Sequence, residues 1–226
     1  MTVATQTRVL VVDDHPVVHL GLRALFDQEP SIEMVGTAFN PRDAVSALDE
    51  HRPDLVIIDL SLGQLQHSGL QLVRTVRERD PDVRVLVLTM HDETLYAGRA
   101  MRAGAHGYVT KRDAVRDLVS AINTVMRGGD HFKSSGGGAR GGGEGASAMR
   151  GAVRALSDRE LEVYQMIGEG LSTREIGEQL GVSVKTVETH RTRIKAKLGI
   201  TSTQQLVRSA VQWATLDSDT PGGPFG

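Results

Sequence analysis

In the stretch VVDDHP, four apolar residues, Val9–Val12, run straight into two adjacent carboxylates, Asp13 and Asp14. Like charges side by side repel, so the pair predicts a positive group beside it. Asp59 closes a second apolar run, DLVIID, and Thr89 closes VLVLT, while Lys111 follows HGYVT. Three carboxylates with no histidine or cysteine counted among the donors make a hard, oxygen-ligand site that suits Mg²⁺. A cation there would offset the repulsion between Asp13 and Asp14. Asp59 would then act as a nucleophile towards phosphorus and form an aspartyl phosphate. Mg²⁺ and Lys111 would neutralise the phosphoryl oxygens, with Thr89 donating a hydrogen bond to one of them.

These residues share one place only if the elements carrying them converge. Apolar runs at 9–13, 32–37, 55–59, 83–89 and 105–109 alternate with helical patterns at 16–26, 41–49, 69–79, 93–103 and 114–126. Val18, Leu22 and Leu25 fall at i, i+4 and i+7, one face of a helix. LVII and VRVLVL lack period-2 alternation and read as strands buried on both faces. Strict alternation predicts a doubly wound, five-stranded parallel α/β sheet of flavodoxin-like type. Such sheets bind ligands at the carboxyl ends of their strands. Asp13, Asp14, Asp59, Thr89 and Lys111 all fall on that edge.

Composition bounds the rest. The chain has 226 residues, 39% apolar and 24% charged, and no cysteine. Disulfides, thiolate metal sites and cysteine nucleophiles are excluded, and a reducing cytosol is compatible. No apolar run approaches the ~18 residues of a membrane span. The start, MTVATQTR, lacks a signal-peptide pattern. A cytoplasmic protein without a membrane partner is expected. Nine glycines between Gly128 and Gly145 predict a flexible linker. The expected division is 1–128, a linker at 129–153, a second domain at 154–216 and a disordered tail at 217–226.

The second domain reads as four short helices. Ser157-x-x-Glu160 and Ser172-x-x-Glu175 are capping boxes, Ser183 is an N-cap and Gly181 marks a tight turn between two helices. Residues 184–198 hold five Lys+Arg against one acidic residue, a local excess of +4 in a chain of net charge −2. Such an excess suits a phosphate-backbone partner. On a helical wheel Val187, Ile194 and Leu198 form the inward stripe. Lys185, Thr189, Thr192 and Ala196 point away from it, flanked by Glu188, Lys195 and Arg193. A narrow polar face with basic edges is what entry into a major groove requires.

The first domain resembles the receiver domain of bacterial two-component response regulators, through VVDDHP, DLVIIDLSL, VLVLTM and GAHGYVTK. The second resembles the LuxR-type helix-turn-helix of the NarL/FixJ regulators, almost throughout LSDRELEVYQMIGEGLSTREIGEQLGVSVKTVETHRTRIKAKLGITS. The resemblance implies that Asp59 accepts phosphoryl from a sensor histidine kinase, with Thr89 and Lys111 assisting. It implies Mg²⁺ on Asp13, Asp14, Asp59 and the backbone carbonyl of Ser61, and a switch pair of Thr89 and Tyr108. It implies a phosphorylation-driven homodimer on an inverted repeat in double-stranded DNA, acting with RNA polymerase. DNA contacts would come from Lys185, Thr186, Glu188, Thr189, Arg191, Thr192 and Lys195. The last helix, with Leu206, Ala210 and Trp213, would make the dimer contact.

Two departures from the family pattern stand out. The loop SLGQLQHSG after Asp59 is about two residues longer, with glycine at position 69 rather than eight residues after the aspartate. Lys111 is followed by Arg112 instead of proline, so a cis bond is not expected there. Two other functions fit parts of the pattern. One is a phosphorylation-independent DNA-binding regulator whose receiver is a dimerisation platform, against which the complete acidic set argues. The other is a phosphohydrolase, but those carry Asp-x-Asp on their first strand. No enzyme is expected beyond transfer to Asp59 and its slow reversal.

Overall fold

The computed structural model describes residues 6–62, 68–91, 93–132, 149 and 151–218. The chain divides into two compact units, Met1–Ser135 and Gly136–Gly226.

The first unit alternates strand and helix throughout: β1 (Thr7–Val12), α1 (Pro16–Phe26), β2 (Ile32–Ala38), α2 (Pro41–His51), β3 (Leu55–Ile58), α3 (Ser68–Arg79), β4 (Arg84–Thr89), α4 (Glu93–Ala103), β5 (Gly107–Thr110) and α5 (Ala114–Met126). Every strand pair is parallel, in the order β2-β1-β3-β4-β5. Alternate strand residues point to opposite faces. Val9, Val11, Ile57, Leu86 and Leu88 join Leu22 and Phe26 of α1 and Leu118, Ile122 and Val125 of α5 in one buried cluster. Leu10, Val12, Val56, Ile58, Val85 and Val87 take the other face and are equally buried. Helices cover both faces, which is why the strands are apolar without alternation.

Composition at 129–132 resembles the linker, yet these residues are anchored. His131 accepts from Tyr108 N–H and donates to the His106 carbonyl, both at 2.8 Å, which pairs it with the outer edge of β5. At the other end, residues 151–154 are helical and Val153 is fully buried. The glycine-rich remainder of the expected linker, 133–148, lies outside the described residues.

The second unit contains α6 (Asp158–Gly168), α7 (Thr173–Leu180), α8 (Val184–Leu198) and α9 (Thr203–Ser218). The last helix runs to Ser218, two residues into the expected tail, and 219–226 lie outside the described residues. Both capping boxes form. Gly181 ends α7 at φ +63°, a left-handed turn that glycine adopts without steric penalty. Ser183 then caps α8 by accepting from Thr186 N–H at 3.1 Å. Helix α6 is central, with residues 160–167 all buried. Its buried acids are paired: Glu160 with Lys197 at 2.6 Å and Glu162 with Arg159 at 2.7 Å. Buried charges require such partners.

The face of α9 carrying Leu206, Ala210 and Trp213 packs inward on α6, and all three side chains are buried. The expectation that they make a dimer contact is therefore corrected. An apolar stripe satisfies the helix's own core first, and the outward apolar residues are their neighbours Val207 and Val211, 40% and 44% exposed.

Candidate functional site

Strand register builds the acidic rim. Val12 pairs with Ile58, so the next residues, Asp13 and Asp59, leave neighbouring strands side by side. Asp59 N–H donates to the Val12 carbonyl at 2.9 Å, and Asp13 N–H to the Ala38 carbonyl at 3.1 Å. On the other side, Lys111 N–H donates to the Thr89 carbonyl at 2.8 Å, which brings the end of β5 to the end of β4. Five residues separated by up to about a hundred positions thus meet on one edge, at the point where strand order reverses.

Asp13 and Asp59 are each 2% exposed and Asp14 28%. Lys111 Nζ lies 2.7 Å from Asp13 Oδ2 and 2.7 Å from Asp59 Oδ2. Burial alone would push the Lys111 ammonium down, but the Asp59 and Asp13 carboxylates more than offset it and hold its pKa above the ordinary lysine value. The lysine stays charged. Three carboxylates against one ammonium still leave a local excess of negative charge.

Two buried atoms in this rim have no hydrogen-bond partner among the described residues: Asp59 Oδ1 and Thr89 Oγ1. Buried polar atoms are nearly always satisfied, and these two, beside an acidic cluster, are free to meet a ligand. One ligand atom from each of Asp13, Asp14, His15 and Asp59 lies within 4.8 Å of the others. The carboxylate oxygens fit a hard divalent cation such as Mg²⁺. The sequence pattern does not single out His15, yet its Nδ1 is 2.8 Å from Asp14 Oδ1 and 3.1 Å from Asp13 Oδ1.

Gly69 sets how closely the start of α3 lies against the end of β3. A Cβ there would stand 2.2 Å from the Asp59 carbonyl oxygen and 2.4 Å from Leu60 Cα. Helix α3 can approach the end of β3 this closely only with glycine at this position. Residues 63–67 of the loop after Asp59 lie outside the described residues.

Ser61 follows Asp59 by two residues, and its Oγ lies 2.8 Å from His91 Nε2. Tyr108 is fully buried, with its hydroxyl donating to the His91 carbonyl at 3.0 Å. The His91 ring also lies against Tyr96, centroids 4.5 Å apart. His91 therefore touches both Ser61 and Tyr108, a link that no spacing in the sequence signals. All peptide bonds of the described residues are trans, the one after Lys111 included.

In the second unit, α7, the Gly181 turn and α8 form the helix pair. Lys185, Thr186, Glu188, Thr189 and Thr192 are exposed on α8, and Lys195 is half-buried. Thr189 and Thr192 hydroxyls donate to the carbonyls of Lys185 and Glu188, each at 2.9 Å. Arg191 differs: its side chain is 13% exposed and turns towards α7. Val184, at the start of α8, is 49% exposed, an apolar residue beside the polar face that charge patterning alone does not select.

Residues 9–123 match the response regulator receiver domain, and residues 154–210 match the bacterial regulatory proteins of the luxR family. This chain belongs to the two-component response regulators. Its second domain is the LuxR-type DNA-binding domain of that family, which makes the protein a transcription regulator. It is 35% identical to the oxygen regulatory protein NreC of Staphylococcus carnosus, over 93% of this chain and 99% of that protein. It is 36% identical to the transcriptional regulatory protein MctR of Rhizobium johnstonii, over 93% and 96%. Its fold is similar to that of RcsB from Salmonella enterica serovar Typhimurium, solved on promoter DNA with a phosphomimetic (TM-score 0.69, 24% identity, 92% and 99% covered). No helix among the described residues is long and apolar enough to cross a membrane.

Proposed function

We propose that this response regulator is switched by phosphoryl transfer from a sensor histidine kinase to Asp59. The observation that carries the proposal is the Asp59 carboxylate itself. One oxygen is held by Lys111 and the other, Oδ1, is buried without a partner beside two further carboxylates. Oδ1 attacks phosphorus, the O–P bond forms, and the P–N bond of the kinase phosphohistidine breaks. The electron pair leaves on the imidazole nitrogen, which takes a proton from water. Lys111 neutralises a phosphoryl oxygen, and Thr89 Oγ1 donates to another. Asp13, Asp14, Asp59 and the Ser61 carbonyl would hold Mg²⁺, which supplies charge neutralisation for the incoming phosphoryl oxygens. The exposed apolar residues Val17 and Leu20 of α1 and Val115 of α5 flank the rim in sequence and would receive the kinase.

Thr89 moving to the phosphoryl group would pull on the segment that ends at His91, whose carbonyl receives the Tyr108 hydroxyl. Phosphorylation then promotes dimerisation and release of the recognition helix α8. The dimer contact falls to Val207 and Val211 on α9, and the partner is an inverted repeat in double-stranded DNA, read together with RNA polymerase. Lys185, Thr186, Thr189 and Thr192 supply the exposed contacts on α8, with Lys195 at the edge, and Val184 is placed to meet a thymine methyl.

Incubation with phosphoramidate and Mg²⁺, followed by intact-mass measurement, tests the acceptor. Wild type is expected to gain the mass of one phosphoryl group and Asp59→Asn none. Equal labelling of both would show that Asp59 is not the acceptor.

A further inference from the structure

Glu188 and Arg191 lie three residues apart on α8, and both turn to Thr173, the first residue of α7. Thr173 Oγ1 donates to Glu188 Oε1 at 3.0 Å and accepts from Arg191 Nη1 at 2.6 Å. Arg191 Nε stands 3.8 Å from the same Glu188 oxygen. The start of α7 needs none of this. Its capping box is already complete: Ser172 Oγ accepts from Glu175 N–H at 3.3 Å, and Glu175 Oε2 accepts from Ser172 N–H at 2.7 Å. A hydroxyl that donates to one carboxylate oxygen, with a guanidinium 3.8 Å from that oxygen, offers the donor and the positive charge that a phosphate oxygen also takes. The first helix of a helix-turn-helix crosses the DNA backbone, so its first residue is where a phosphate arrives.

We propose that Thr173 and Arg191 form a DNA backbone-phosphate site that Glu188 fills in the free protein, and that phosphate displaces Glu188 on binding. The inference rests on the DNA-binding reading above. Glu188 is 57% exposed, so the released carboxylate is free to swing outward without breaking the core. On the helix that enters the major groove it can accept from a cytosine amine. Opposite any other base the carboxylate gains no donor and is left desolvated and unpaired. Glu188 thereby weakens binding to all DNA and restores it selectively where cytosine is in reach. Arg191, turned inward, is a phosphate contact and not a base reader.

The test uses the full-length chain and a fluorescent duplex of random sequence, with affinity measured against KCl concentration. Glu188→Gln keeps an acceptor for Thr173 but removes the competing charge. It is expected to tighten binding about two- to fivefold, because phosphate no longer has to displace an exposed carboxylate, with the slope of log K against log salt unchanged because the same phosphate is neutralised in both proteins. In an Arg191→Gln background the same substitution is expected to leave affinity unchanged. An equal gain in both backgrounds would mean simple charge repulsion and would overturn the proposal. So would weaker binding by Glu188→Gln with a lower melting temperature, the signature of a brace between helices. If wild type bound no duplex even at low salt, the DNA-binding reading itself would fall, and the inference with it.

Discussion

The Lys111 ammonium lies 2.7 Å from Asp59 Oδ2, on the same edge where Asp13 Oδ2 takes it at an equal distance. One cation therefore holds together two carboxylates that are each 2% exposed. The same geometry prepares the site, because a phosphoryl group arriving at Asp59 meets a positive charge already in place.

Removing that charge has a predictable consequence. Lys111→Met leaves two buried carboxylates facing each other and is expected to destabilise the receiver by about 3–5 kcal/mol in the presence of EDTA. Added Mg²⁺ should raise the melting temperature of Lys111→Met more than that of wild type, because the cation replaces the missing charge. Thermal denaturation with and without Mg²⁺ checks this. Equal stability of the two proteins in EDTA would contradict it.

Gly69→Ala tests how α3 reaches the end of β3. A methyl group 2.2 Å from the Asp59 carbonyl oxygen must displace backbone, not a mobile side chain. Overpacking of this kind is typically destabilising by about 1–3 kcal/mol. The rate of phosphoramidate labelling should fall as well, since the backbone pushed aside is that of Asp59. A labelling rate like that of wild type would place the strain elsewhere.

Glu160 predicts how the DNA-binding domain responds to acid. Burial pushes its carboxyl up, but Lys197 and the hydroxyl and amide of Ser157 more than offset this and hold it below its ordinary value of 4.5. A carboxyl with a lowered folded pKa contributes stability that is complete above 4.5 and lost as pH falls through the folded value. Denaturation followed through the single tryptophan, Trp213, should show this domain losing stability below pH ~4.5. Glu160→Gln should be less stable at neutral pH and lose much of the acid dependence. An unchanged acid profile would remove Glu160 as its source.

Val207 and Val211 offer an apolar strip on the outer face of α9. Val211→Glu, or Val207 and Val211 both changed to Glu, should abolish dimerisation of the phosphorylated chain, because like charges would meet across a two-fold axis. Changing exposed residues should leave folding stability within about 0.5 kcal/mol of that of wild type. Light scattering that still showed a dimer would move the contact away from this helix.

Much of this architecture is legible from residue pattern. Apolar runs without alternation, such as Leu55–Ile58, identify strands covered on both faces. Once the sheet is parallel, Asp13, Asp59, Thr89 and Lys111 must share one edge, because each directly ends or follows a strand. What escapes the pattern is contact between elements. Val207 and Val211 stand one position beyond Leu206 and Ala210, and both sets have helical period; only packing on α6 shows which one is inward. Arg191 is expected from the family resemblance as a DNA contact, yet its partner Thr173 sits on another helix and leaves no trace in α8 itself. His91 is equally silent, since its ties to Ser61 and Tyr108 depend on how two loops meet. The strands of the pattern also end sooner than the pairing does: His131, in a stretch of linker composition, completes the edge of β5.

The central claim is that phosphorylation of Asp59 controls assembly and DNA binding. Light scattering on the full-length chain, wild type and Asp59→Asn, with Mg²⁺ and with or without beryllofluoride as a phosphoryl mimic, tests it most directly. The account predicts a monomer-to-dimer shift in wild type on addition of beryllofluoride, accompanied by tighter binding to duplex DNA, and no change in Asp59→Asn. The same mass in wild type before and after the mimic, or the same shift in both proteins, would contradict it.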